Sequence, residues 1–153
     1  AAQKESFAGR AAVICDREDS DQDALALVEN IAKNLEMHLI YMNADAHDIH
    51  TAYISNISHI TSYALANTVL EKEREEDTIF QLASSGFSST VRLAKSHPEM
   101  WVPIFKQNKE NVLDVLNEHI TQLRKFKSAL EKENFELLEE LIKNANKIRG
   151  ILK

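Results

Sequence analysis

DAHDIHTAYISNISHITSYALANTVL, residues 45–70, decides the fold of this 153-residue chain. No Gly or Pro interrupts it, and Ala52, Ile54, Ile57, Ile60, Ala64, Leu65 and Val69 place apolar groups on most sides of a helix. The stretch predicts one long helix, buried nearly all round. His47, Thr51, Ser55 and His59 follow one another at four-residue spacing, which predicts a single polar stripe along it. Unpaired polar groups are costly inside a core, so such a stripe either bonds within the core or faces a ligand. Periodicity alone favours the first.

Upstream, Ala11 to Cys15 is a short apolar run after Gly9 and before the acidic segment Asp16 to Asp23, and it reads as a buried strand. Asp19, Asp21 and Asp23 alternate like a calcium loop. Ala24 then stands where that loop requires Gly, and Asn30 where it requires Glu. The carboxylates instead suit a helix N-terminus capped by Ser20 or Asp21 and running to about Leu35. Leu25, Val28, Ile31, Ala32 and Leu35 form its expected buried face. Met37 to Met42 reads as a second strand. A lone parallel pair needs further strands beside it, so residues 1–43 read as the last piece of an α/β domain, and residues 1–10 carry no helix or strand signal.

Downstream, Glu71 to Asp77 reads as a solvated charged turn and helix start. Short helical pieces follow over 78–83 and around Arg92 and Lys95, with Pro98 suited to a first helical turn. Pro103 lacks an amide hydrogen and predicts a kink or restart. A long helix is expected from Ile104 to about Glu131, buried through Val112, Leu116, Ile120, Leu123 and Leu130. A last one, after Asn134, shows Phe135, Leu138, Ile142, Ala145, Ile148 and Leu152. The two stripes form an antiparallel hairpin suited to bundle or dimer packing.

The net charge of −6, with Lys and Arg scattered, argues against a nucleic-acid partner. No apolar run approaches the roughly eighteen residues of a membrane span, and a single cysteine, Cys15, suits a reducing compartment. A cytoplasmic, membrane-free protein is expected. The three glycines, Gly9, Gly86 and Gly150, form no phosphate-binding loop, so no nucleotide cofactor is expected to bind these residues alone. Asp45, His47, Asp48 and His50 could be drawn as metal ligands. Acids are favoured at a helix start in any case, and no metal is expected.

Two runs carry a specific resemblance. His47-Asp48, Ser55 and His59 leading into Tyr63-Ala64-Leu65 form the first. Gly86-Phe87, Arg92-Leu93-Ala94-Lys95-Ser96, Pro98 and Met100-Trp101, continued by Phe105 and Asn108 to Val112, form the second. Together they resemble the prephenate dehydrogenase family, with Asn56 where the family usually has a histidine. The resemblance implies a mainly α fold: a helical bundle like the 6-phosphogluconate dehydrogenase C-terminal domain, over residues 44–153, used for dimerisation and substrate binding. Residues 1–43 would then be a βαβ remnant of a Rossmann-type nucleotide domain.

The family oxidatively decarboxylates prephenate to 4-hydroxyphenylpyruvate with NAD or NADP in tyrosine biosynthesis. Its catalytic histidine precedes the matched stretch, so the chain alone is expected to be an inactive part of the enzyme, forming a homodimer. Prephenate is a small dianion, for which a planar, always-charged guanidinium is the natural partner. Position by position, the resemblance places Arg92 on a substrate carboxylate, with His59, Trp101 and Ser55 also at substrate and His47, Asp48 and Ser89 in support. Ser89 stands where the family often has an aspartate. A related arogenate dehydrogenase, or a non-catalytic helical module that dimerises or senses an aromatic amino acid such as tyrosine, are the alternatives.

Overall fold

In the computed structural model, which describes residues 5–76 and 78–152, β1 (Ala11–Cys15) pairs in parallel with β2 (His38–Met42). Ala11 lies opposite His38, and Cys15 opposite Met42. The crossover is α1 (Gln22–Asn34), begun as expected at Asp21, whose Oδ1 accepts from the amides of Asp23 at 3.0 Å and Ala24 at 2.9 Å. Asp16 turns the chain out of β1 at φ 47°, in the left-handed region that Asp tolerates better than most residues. Its carboxylate accepts from the Ala44 amide at 3.1 Å.

Of the face expected to be buried on α1, only Leu25 and Ala32 are buried; Val28, Ile31 and Leu35 are exposed. Two strands are too narrow to cover the whole stripe of a three-turn helix.

The organising helix is not one uniform helix. α2 (Ala44–Thr51), capped by Asn43 at the Ala46 amide, passes into a π turn, Ala52–Asn56, and then into α3 (Ile57–Glu76). A strict four-residue repeat drifts by about 40° per step on an α-helix, and a π turn interrupts that register. The expected stripe is therefore not a single α-helical row. Burial all round fails too: Ala52 is fully buried, while Ile54 is 75 % exposed.

The charged run does not turn before Glu76. α3 continues through it to Glu76, because Glu, Lys and Arg are good helix formers, and Lys72 pairs with Glu75 at 2.9 Å. The carboxylate of Glu73 then accepts from the amides of Thr78 and Phe80, starting the 3₁₀ turn Ile79–Leu82. Asp77, residues 1–4 and Lys153, which the sequence reading also covered, lie outside the described residues.

α4 (Ser85–Thr90), a 3₁₀ turn at Arg92–Lys95 and α5 (Pro98–Gln107) follow. α5 continues through Pro103 without the expected restart: the one bond lost would have gone to Glu99 in the first turn. The chain breaks instead at Asn108, between α5 and α6 (Lys109–Glu131). α6 and α7 (Phe135–Ala145) form the predicted hairpin, turned by Glu133 at φ 52° and capped by Asn134. A 3₁₀ turn, Asn146–Gly150, replaces the rest of the expected last helix.

Val112, Val115 and Ala129 are buried on α6. Leu123 and Leu130, expected inside, are exposed, as are Phe135, Ile142 and Ile148 beyond them. A two-helix hairpin has nothing on its far side to cover these groups. The chain divides into two units, Ala1–Ile54 and Ser55–Lys153. Among the described residues no helix is long and apolar enough to cross a membrane.

Candidate functional site

Within the second unit the chemistry gathers on the first half of α3. His59 is half-buried, and its Nδ1 lies 3.0 Å from the backbone oxygen of Ser55. A carbonyl can only accept, so Nδ1 carries the hydrogen and Nε2 is left as the acceptor of the neutral ring. Trp101 lies against the other side: the ring centroids are 3.4 Å apart with an interplanar angle of 26°, a stacked pair. Phe105, one turn further along α5, packs on Trp101 at 5.5 Å, and Tyr63 flanks His59 at 6.3 Å.

Trp101 itself is 7 % exposed, and its indole N–H is buried with no hydrogen-bond partner among the described residues. Buried indole donors normally find an acceptor, so this orphan marks a place where a polar group would be stabilised.

Arg92 sits on the 3₁₀ turn Arg92–Lys95. It is exposed, and among the described residues it makes no ion pair. Ser89 does not orient it: the Ser89 hydroxyl donates to the Gly86 carbonyl at 2.9 Å, inside α4. What holds the Arg92 turn is a residue the sequence reading passed over. Ser62 is 1 % exposed; its Oγ donates to the Thr90 carbonyl at 3.1 Å and accepts from the Ala94 amide at 3.0 Å. The Tyr63 hydroxyl donates to the Ser96 carbonyl at 3.3 Å.

A signal for Ser62 was present. Ser55, His59 and Ser62 stand at i, i+4 and i+7, the spacing that keeps to one helical face where four-by-four spacing drifts away.

Asn56, at the family's histidine position, is 3 % exposed and accepts from Asn108 Nδ2 at 3.2 Å; Asn108 Oδ1 accepts in turn from Asn111 at 2.8 Å. This amide chain ties the start of α3 to the break between α5 and α6. Thr61 Oγ1 and His119 Nε2, 3.1 Å apart, join α3 to α6. In the first unit, His47 Nδ1 and Asp48 Oδ1 pair at 3.0 Å on α2, and the Thr51 hydroxyl donates to the Asp48 carbonyl. Among the described residues no three His, Cys, Asp or Glu side chains converge as metal ligands.

Residues 43–144 match the family described as prephenate dehydrogenase, dimerization domain. The chain belongs to that family. It is 30 % identical to a prephenate dehydrogenase of Bacillus subtilis (strain 168) over 130 residues, which is 85 % of this chain and 35 % of the relative. A cyclohexadienyl dehydrogenase of Zymomonas mobilis is 28 % identical over 131 residues, covering 85 % of this chain and 45 % of its own length. Among solved structures, a prephenate dehydrogenase from A. aeolicus, in complex with hydroxyphenyl propionate and NAD+, superposes with a TM-score of 0.86 at 27 % identity. That match covers 96 % of this chain and 51 % of the other. A Synechocystis arogenate dehydrogenase shares the fold at 22 % identity, with a TM-score of 0.80 over 99 % of this chain and 55 % of its own. The chain thus spans between about a third and about a half of the length of these relatives.

Proposed function

We propose that this chain is the substrate-holding and dimer-forming part of a prephenate dehydrogenase, and that it is inactive by itself. The reaction removes hydride from the carbon bearing the ring hydroxyl and releases the ring carboxylate as carbon dioxide, giving 4-hydroxyphenylpyruvate. NAD or NADP supplies the hydride acceptor. The glycines of this chain build no phosphate cradle, so no step here runs through the nucleotide.

The observation that carries the reading is the common mounting of His59 and Arg92. His59 stands on α3, and the turn bearing Arg92 is bonded to Ser62, one helical turn along the same helix. A guanidinium with no ion pair among the described residues suits a charged end of a small dicarboxylate, and the His59 Nε2, an acceptor on the neutral ring, suits the ring hydroxyl of the same ligand. Trp101 holds the imidazole plane, and its unpartnered N–H offers one further donor. Ser55 contributes its backbone carbonyl, which sets the His59 tautomer. Residues 44–153 act as one functional domain in this reading, with residues 1–43 belonging to the nucleotide-binding part.

The exposed apolar groups of α6 and α7, Leu123, Leu130, Phe135 and Ile142, are the natural contact of a second copy. Ile142→Glu should shift the sedimentation coefficient from dimer toward monomer; an unshifted dimer would remove this surface from the interface.

The decisive experiment is Arg92→Ala in the protein at its full natural length. Loss of a charge-assisted contact worth about 1.5–3 kcal/mol should raise KM for prephenate by roughly ten- to a hundredfold, with the cofactor KM unchanged. Arg92→Lys should recover little, since an ammonium cannot reproduce the planar fork. An unchanged KM in Arg92→Ala would sink the reading.

A further inference from the structure

We infer that Ser62 and Tyr63 are positioning residues: side by side on α3, they clamp the two ends of the Arg92 turn and set where the guanidinium meets an anionic substrate. The inference rests on the reading of Arg92 as a carboxylate binder and deepens it.

Ser62 uses its hydroxyl in both directions, donating to Thr90 ahead of the turn and accepting from Ala94 within it. The two bonds bracket Arg92. Tyr63 takes the far end, at Ser96. The Arg92–Lys95 turn is a single turn of 3₁₀ helix with no side-chain cap of its own, and Arg92 makes no ion pair among the described residues. Short 3₁₀ turns have poor internal hydrogen-bond geometry, so their placement is set by outside partners. Here those partners come from α3.

A hydroxyl buried to 1 % is a costly choice where Ala would fill the helix face more simply. It is retained without penalty because both of its bonding roles are satisfied, and both go to the backbone around Arg92. The same helix carries His59 three residues earlier, so the clamp ties the placement of the guanidinium to that of the imidazole.

The test uses Ser62→Ala in the full-length protein, with two readouts. The Ala94 amide, shared between Ser62 Oγ and the Val91 carbonyl at 3.0 Å each, keeps the second acceptor in this variant, so its hydrogen exchange should accelerate by a few-fold. KM for prephenate should rise roughly ten- to thirtyfold, with kcat and the cofactor KM little changed. Val115→Ala, a core truncation in the same unit, controls for general loss of stability and should leave KM unaltered. Tyr63→Phe, which keeps the ring and loses one bond, should raise KM by a few-fold, and it carries the test if Ser62→Ala fails to fold.

Faster exchange with an unaltered KM in Ser62→Ala, or no rise in KM in Tyr63→Phe when only that variant folds, overturns the inference. Unchanged exchange at Ala94 does the same. Should Arg92→Ala itself leave KM unaltered, the carboxylate reading falls and takes the inference with it. A raised KM in Arg92→Ala beside a normal one in Ser62→Ala removes the inference alone.

Discussion

The strand–helix–strand unit and the helical unit treat polar groups in opposite ways. In the first, side-chain bonds are mostly local: Asp21 caps α1 two and three residues away, and Asn43 caps α2 three residues away. Leu25, Ala32 and Ala52 are its buried apolar groups, and Val28, Ile31 and Leu35 lie bare. In the second unit the buried polar side chains reach far along the sequence. Ser62 bonds 28 and 32 residues away, and Asn56 bonds across 52.

Local caps start elements but say nothing about how elements pack. Buried long-range bonds fix which helix meets which, because a small shift leaves a donor or acceptor stranded. A site needing two side chains from separate segments in register therefore belongs in the second kind of unit.

The sharpest way to break this contrast is at Trp101, where apolar packing and the candidate site coincide. Trp101→Ala should destabilise the helical unit by about 3–5 kcal/mol, read from its denaturant midpoint. Trp101→Phe keeps a stacking face for His59 and discards the unpartnered N–H, so it should cost far less. Equal costs for the two variants would mean that the orphan donor is not orphaned in solution.

A smaller effect isolates the long-range bonds themselves. Asn56→Ala removes the bond between Asn108 Nδ2 and Asn56 Oδ1 and should cost about 1 kcal/mol. In a double-mutant cycle with Asn108→Ala, the two losses should fall short of additive by at least about 0.5 kcal/mol. Strict additivity would deny the amide chain a part in joining α3 to α6.

Asp21→Ala tests the local kind of bond. It should cost about 1 kcal/mol and show in the unfolding of the first unit alone. A comparable loss in the helical unit would contradict the division.

The smallest effect is a titration. The Tyr41 hydroxyl donates to Glu29 Oε1 at 2.8 Å, and that hydrogen bond, with some desolvation and the Glu29 charge, holds its pKa above the usual tyrosine value, while Arg17 over the ring pulls the other way. A raised pKa means that the contact supports folding fully below the unfolded tyrosine pKa of about 10 and loses that support as pH climbs through the folded value. Ultraviolet titration of Tyr41 should move down toward the ordinary value in Glu29→Gln. No movement would remove the bond from the account.

Much of the local structure was legible in residue order. Strand β1, the Asp21 cap, the start of α5 at Pro98 and the hairpin of α6 and α7 follow from apolar periodicity and end signals, which act over a few residues. The family signature likewise pointed to His59, Arg92 and Trp101 together. Other features were decided only in three dimensions. The break at Asn108 rather than Pro103 comes with an amide chain back to Asn56, a partner that no local rule supplies. The bareness of Val28, Leu123 and Leu130 reflects what is available to cover them, which hydrophobic spacing does not encode. Ser62 read as one small polar residue among many until the fold brought Thr90 and Ala94 to its hydroxyl. Sequence alone determined most of the segments that become helix or strand, because those depend on near neighbours. Tertiary structure alone decided which polar group clamps which turn, because burial turns a weak, exchangeable hydrogen bond into one that is costly to lose.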